Sequence, residues 1–109
     1  MNKVKKFSPL TEATYYILLS LIEPLHGYGI IKKVQEMSKE RVKIAAGTLY
    51  GAIGSLLRNK LIISIGEDEN NQRRKLYQIT ELGKELLEYE IRRLDEMANN
   101  GYKETGEKS

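Results

Sequence analysis

The spacing of apolar residues changes character twice along this 109-residue chain. Leu49, Ile53, Leu56 and Leu57 recur at helical intervals, but "LIISI" (61–65) and "QRRKLYQIT" (72–80) alternate with a period of two around the polar "GEDENN". Helical spacing then returns with Leu82, Leu86, Leu87, Ile91, Leu94 and Met97. A 3.6-residue period marks a helix packed on one face, and a two-residue period marks a half-buried strand. The order is therefore helices, a β-hairpin with a charged tip, and a closing helix.

Upstream, Ser8-Pro9 and Glu12 form a plausible helix start, so a first helix is expected over about Leu10–Ile22. It should stop before Glu23-Pro24, because proline pushes the preceding residue out of the helical region. Apolar residues nearly encircle it, as expected of a central helix. Ile30, Ile31, Val34 and Met37 predict a second helix over Tyr28–Ser38, "SKERVK" a connection, and the next apolar stripe a third helix over Ala46–Asn59. Thr80 is expected to cap the closing helix, with Asn99, Asn100 and Gly101 ending it and "YKETGEKS" disordered. The expected fold is mainly α with a small β-hairpin: a winged helix-turn-helix over 1–80, a C-terminal dimerisation helix over 81–100 and a tail over 101–109.

With 40% apolar content, 109 residues make one small domain. The absence of cysteine excludes disulfides and thiolate metal sites, and suits a reducing compartment. His26 is the one histidine and cannot build a metal site alone. With no second histidine, no clustered acid pair and no phosphate-cradling loop, neither an enzyme nor a cofactor is expected. "ATYYILLSLI" (13–22) is too short to span a bilayer, and the N-terminus has no apolar signal core, so a cytoplasmic protein is expected. Charge is uneven: residues 1–80 carry thirteen Lys and Arg against seven Asp and Glu, whereas 81–109 carry five against eight. A polyanion would bind the first part.

"AAGTLYGAIGSLL" (45–57) holds Gly47, Gly51 and Gly54, each costing about 1 kcal/mol relative to alanine inside a helix. At 100° per residue the three glycines, Ser55 and Arg58 fall within a sector of about 100°, opposite Leu49, Ile53 and Leu56. One face has thus been stripped of side chains. Close approach by a partner's backbone is one reason to strip it, with Thr48, Ser55 and Arg58 left as its few polar contacts.

"LHGY" (25–28), "GTLY" (47–50) and "RRKLYQIT" (73–80) running into "ELG", in that order, resemble the PadR family of bacterial transcriptional regulators over roughly residues 8–95. With one helix after the wing, the chain is similar to the short subfamily. The resemblance implies a homodimer whose last helices pack together, so that two recognition helices meet successive major grooves of a palindromic operator. Its interface would use Leu82, Leu86, Leu87, Ile91, Leu94 and Met97. It also implies a response to small hydrophobic or phenolic effectors between the first and last helices, carried here by Tyr15, Tyr16, Leu19, Ile91 and Leu94. For His26, the family likeness carried by "LHGY" implies a loop-packing role. Gly51 and Gly54 depart from the longer polar or basic side chains common there in the family, which weighs against direct base reading. No tryptophan stands in the last helix, unlike relatives that stack flat ligands.

The candidate DNA contacts are Lys43, Gly47, Thr48, Tyr50, Gly51, Ser55 and Arg58 on or before the third helix, with Arg73, Arg74 and Lys75 on the wing. Lys43 precedes a helix N-terminus, which already favours anions. Lys3, Lys5 and Lys6 form a basic arm within reach of adjacent backbone. Two functions fit: a ligand-responsive repressor binding an operator as a dimer, or a winged-helix module that docks protein on the bare helix face.

Overall fold

The computed structural model describes residues 3–68 and 71–107, with the side chains of 67, 68 and 71–73 outside the described part. A 3₁₀ turn (Lys5–Phe7) precedes helices α1 (Glu12–Ser20), α2 (Gly27–Met37) and α3 (Ala46–Arg58). Strands β1 (Ile62–Asp68) and β2 (Asn71–Ile79) follow, then α4 (Glu81–Thr105). The two strands pair antiparallel, Ile62 opposite Ile79, with register shifts at Ser64/Gly66 and Glu67/Asp68. Gly66 takes a positive φ of 118° at the first irregularity, a conformation open to glycine alone without strain.

Every expected element is present, but α1 is shorter at both ends, stopping at Ser20 rather than Ile22, α2 shifts by one residue, α3 ends one residue earlier, and α4 runs on. Helix α1 starts at Glu12, capped by Thr11, whose hydroxyl accepts from the Thr14 N–H at 3.1 Å. Ser8 does not cap it; its hydroxyl donates to Glu90 of α4 instead. At the other end, α4 runs through Asn99, Asn100 and Gly101 to Thr105, so the expected tail is helical for five more residues. Asparagine and glycine weaken a helix but end it only when one of them takes the left-handed conformation, and here Gly106 (φ 78°) does so, its N–H bonding the Tyr102 carbonyl.

Core side chains come from every element. Ile17, Leu18 and Leu21 at α1 meet Ile30 and Val34 of α2, Leu49, Ile53 and Leu56 of α3, Ile62, Tyr77 and Ile79 of the hairpin, and Leu86 and Leu87 of α4. The loop before α2 is stitched to the wing: Leu25 and Tyr77 exchange both backbone hydrogen bonds, at 3.1 and 2.9 Å. Ile79 N–H also donates to the Leu21 carbonyl. The hairpin is thereby held as part of the body.

Gly83 of "ELG" is required by contact. A Cβ there would stand 2.3 Å from the Leu61 carbonyl oxygen and 2.6 Å from Ile79 Cγ1, so the first turn of α4 can seat on the hairpin base only without one. Gly83→Ala is expected to destabilise the fold by about 2 kcal/mol despite alanine's better helix propensity, read as a lower midpoint in urea unfolding.

Candidate nucleic-acid interface

Helix α3 buries Leu49, Ile53 and Leu56 and turns its glycine face to solvent. A Cβ at Gly47 or Gly51 would meet nothing within 4 Å, and one at Gly54 only Arg58 Nη1 at 3.5 Å. Nothing among the described residues demands these glycines. Lys43, Gly47, Thr48, Gly51 and Arg58 are exposed, Ser55 is half-buried, and Tyr50 is 52% exposed.

Around the N-terminal end of α3, residues from three separate stretches converge. The Tyr50 ring lies across Gly27, its hydroxyl 2.2 Å from where a Gly27 Cβ would be, so a side chain at 27 would push the tyrosine aside. Arg74 Nη1 donates to His26 Nε2 at 2.8 Å, which ties the wing to the residue capping α2. His26 also packs on Gly29. Together His26, Gly27, Tyr50, Arg74, Lys75 and Tyr77 enclose a cleft of about 240 Å³. Burial first and the neighbouring Tyr50 second push the Tyr77 hydroxyl above its ordinary value. Two cations, a phenol and an imidazole beside a helix N-terminus form a setting for a phosphate oxygen. The expected loop-packing role of His26 omits its hold on Arg74, for which "LHGY" alone carries no signal. Arg73 is a residue of β2, but its side chain lies outside the described residues.

The expected dimer residues divide into two groups. Leu86 (0% exposed) and Leu87 (4%) are closed inside the chain's own core and are not available to a second copy, and Leu82 is partly buried against the same core. The first turns of α4 rest on the hairpin and α1, and this consumes that part of the stripe. Beyond Glu90 the helix leaves the body, and Ile91, Leu94 and Met97 are 46%, 40% and 56% exposed.

Of the expected effector residues, Tyr15, Tyr16 and Leu94 line one cleft of about 350 Å³ with Glu12, Glu90 and Arg93. Tyr15 and Tyr16 meet edge-to-face with centroids 5.7 Å apart. Leu19 packs against the core and Ile91 lies on the exposed stripe, so neither lines this cleft. Glu90 was not expected at all. It is 1% exposed, takes hydrogen bonds from Arg93 (2.8 and 2.9 Å), the Leu10 N–H (2.8 Å) and Ser8, and has its pKa lowered to about 2, chiefly by Arg93. The available signal was positional: Glu90 follows Leu86 by four residues and Leu87 by three, on the apolar stripe.

A helix pair joined by a short turn, its second member presenting a clear face beside a two-stranded basic wing, defines a winged helix-turn-helix. The transcriptional regulator PadR-like family matches residues 17–89, and the chain belongs to that family. A transcriptional regulator from Clostridium thermocellum is 26% identical over 84% of this chain and 89% of its own, with a TM-score of 0.68. A PadR family regulator from Clostridium difficile is 27% identical over 84% and 98%, also at 0.68. Bordetella bronchiseptica BpsR, whose DNA binding is regulated by 6-hydroxynicotinic acid, shares the fold at 20% identity over 93% and 67%, TM-score 0.70. No curated relative matches the chain. Among the described residues no helix is long and apolar enough to cross a membrane.

Proposed function

We propose that the chain is a homodimeric, ligand-responsive repressor that binds a palindromic operator through α3 and the wing, in the bacterial cytoplasm. The observation carrying this reading is the unobstructed glycine face of α3, on the helix whose Tyr50 shares a cleft with Arg74 and Lys75. Phosphates are neutralised by the wing cations and Lys43, and the Tyr50 hydroxyl donates a hydrogen bond to one. Thr48, Ser55 and Arg58 supply the few side chains toward base edges or phosphates, and groove shape adds specificity where α3 has no side chain.

Dimerisation is supported by the exposed row of Ile91, Leu94 and Met97 on the half of α4 that leaves the body, an apolar surface that the described residues leave open. The cleft by Tyr15 and Tyr16 has the size and mixed lining of a small-ligand site, and suits a phenolic or hydrophobic effector. Because Leu94 belongs to both the cleft and the exposed row, an occupant there would shift the spacing of the two recognition helices, provided it favours one spacing.

The test is fluorescence anisotropy with duplexes from the promoter of the chain's own gene, titrated at several salt concentrations. Sequence-selective binding with a steep salt slope is expected; equal affinity for promoter and random duplex overturns the reading in favour of protein docking. Arg74→Ala should weaken binding to all duplexes alike and reduce the salt slope by about one unit. His26→Phe keeps the packing but removes the acceptor, and should give a smaller loss of the same kind. Leu94→Glu is expected to convert a dimer to a monomer in light scattering, with operator binding lost alongside.

A further inference from the structure

We propose that the chain carries a second DNA-backbone site at the far end of α3, in a basic cleft formed by Lys3, Lys6, Arg58 and Lys60. These four cations, with Phe7 and Asn59, line a cleft of about 350 Å³ on the opposite end of α3 from the His26–Arg74 cleft. Among the described residues no carboxylate lines it and no ion pair involves any of the four. Concentrated positive charge without an internal counterion fits a phosphodiester.

The arm bearing Lys3 and Lys6 is fixed in place. Val4 is fully buried in the core, Phe7 packs against it, and Ser8 and the Leu10 N–H are bonded to Glu90. Lys6 therefore projects from an anchored 3₁₀ turn and Lys3 from the turn just before it, with little ordering left to be done on binding. Arg58 joins the cleft to the glycine face, because its Nη1 lies 3.5 Å from where a Gly54 Cβ would be. Lys60 has a left-handed backbone (φ 61°), where glycine or asparagine is favoured.

The geometry of the duplex gives the two clefts separate tasks. Tyr50 and Arg58 are eight residues apart, a rise of about 12 Å along α3, comparable to the width of the major groove. With α3 in the groove, the wing cleft meets the backbone on one rim and the arm cleft meets the other. This rests on the DNA-binding reading above and adds a contact outside the helix face and wing.

The experiment compares the full chain with a Lys3→Gln/Lys6→Gln/Lys60→Gly variant on the tightest duplex recovered by selection from random DNA. The same duplex is also prepared with neutral methylphosphonates replacing single phosphates along each rim. The variant should bind about tenfold more weakly and show a salt slope smaller by about two to three units. Neutralising phosphates on one rim should weaken the wild type but leave the variant unchanged. Thermal melting should be equal to or above wild type, since glycine relaxes residue 60. If the variant binds with unchanged affinity and slope while Arg74→Ala still weakens binding, the cleft is no DNA site and the operator reading stands. If selection enriches no sequence and the wild type shows no salt-dependent binding, the operator reading fails, and this one with it.

Discussion

Glu90→Ala should lower stability at pH 7 by about 3 kcal/mol, the largest single-residue effect expected in this protein, and drop Tm by roughly 15 °C. The carboxylate is 1% exposed and joined to Arg93, Ser8 and the Leu10 N–H, so its removal strands a partly buried guanidinium and leaves a buried backbone donor without its acceptor. Its pKa falls from the ordinary 4.5 to about 2, mainly through the Arg93 hydrogen bonds acting against the burial that would raise it. A lowered carboxylate pKa means that the stabilisation is complete above the unfolded value and is lost as pH falls. The wild type should therefore lose about 3 kcal/mol between about pH 5 and pH 2 from this group. Urea unfolding across that range checks it: Glu90→Gln should flatten this part of the profile, and an undiminished acid slope in that variant would mean that other carboxylates carry it. Since Glu90 ties α4 to the arm and the start of α1, its loss should also loosen both the arm cleft and the tyrosine cleft.

The second large effect runs in two directions at once. Gly51→Ala with Gly54→Ala should raise stability by about 2 kcal/mol, because the added methyls meet open space at 51 and ordinary contact distance at 54. Operator affinity should fall by about tenfold per methyl if the duplex lies against the helix backbone, equivalent to about 1.4 kcal/mol each. Chemical denaturation and anisotropy on the same samples give both values. A rise in stability with unchanged affinity would show that no partner approaches that face closely.

The sequence carried the fold class because its signals are local. The 3.6-residue and two-residue periods lie within single elements, Thr80 caps α4 as its neighbours require, and the wheel positions of Gly47, Gly51 and Gly54 follow from helix geometry alone. The order of elements left few topologies to choose among. The candidate site was legible as a set of residues on a helix and a wing, but its joints were not.

Those joints depend on contacts across long stretches of chain. Arg74 reaches His26 over 48 positions, and Ser8 reaches Glu90 over 82. Ser8 has the chemistry of a helix cap, and only the proximity of a buried carboxylate diverts it. Glu90 reads as one more charge in "EYEIRRLDE" until α1 and the arm close over it. The apolar stripe of α4 is continuous in sequence, yet burial divides it: Leu86 and Leu87 belong to the core, whereas Ile91, Leu94 and Met97 are left exposed. Periodicity states which residues share a face. What covers that face is decided by where distant elements pack, and only the tertiary structure contains that information.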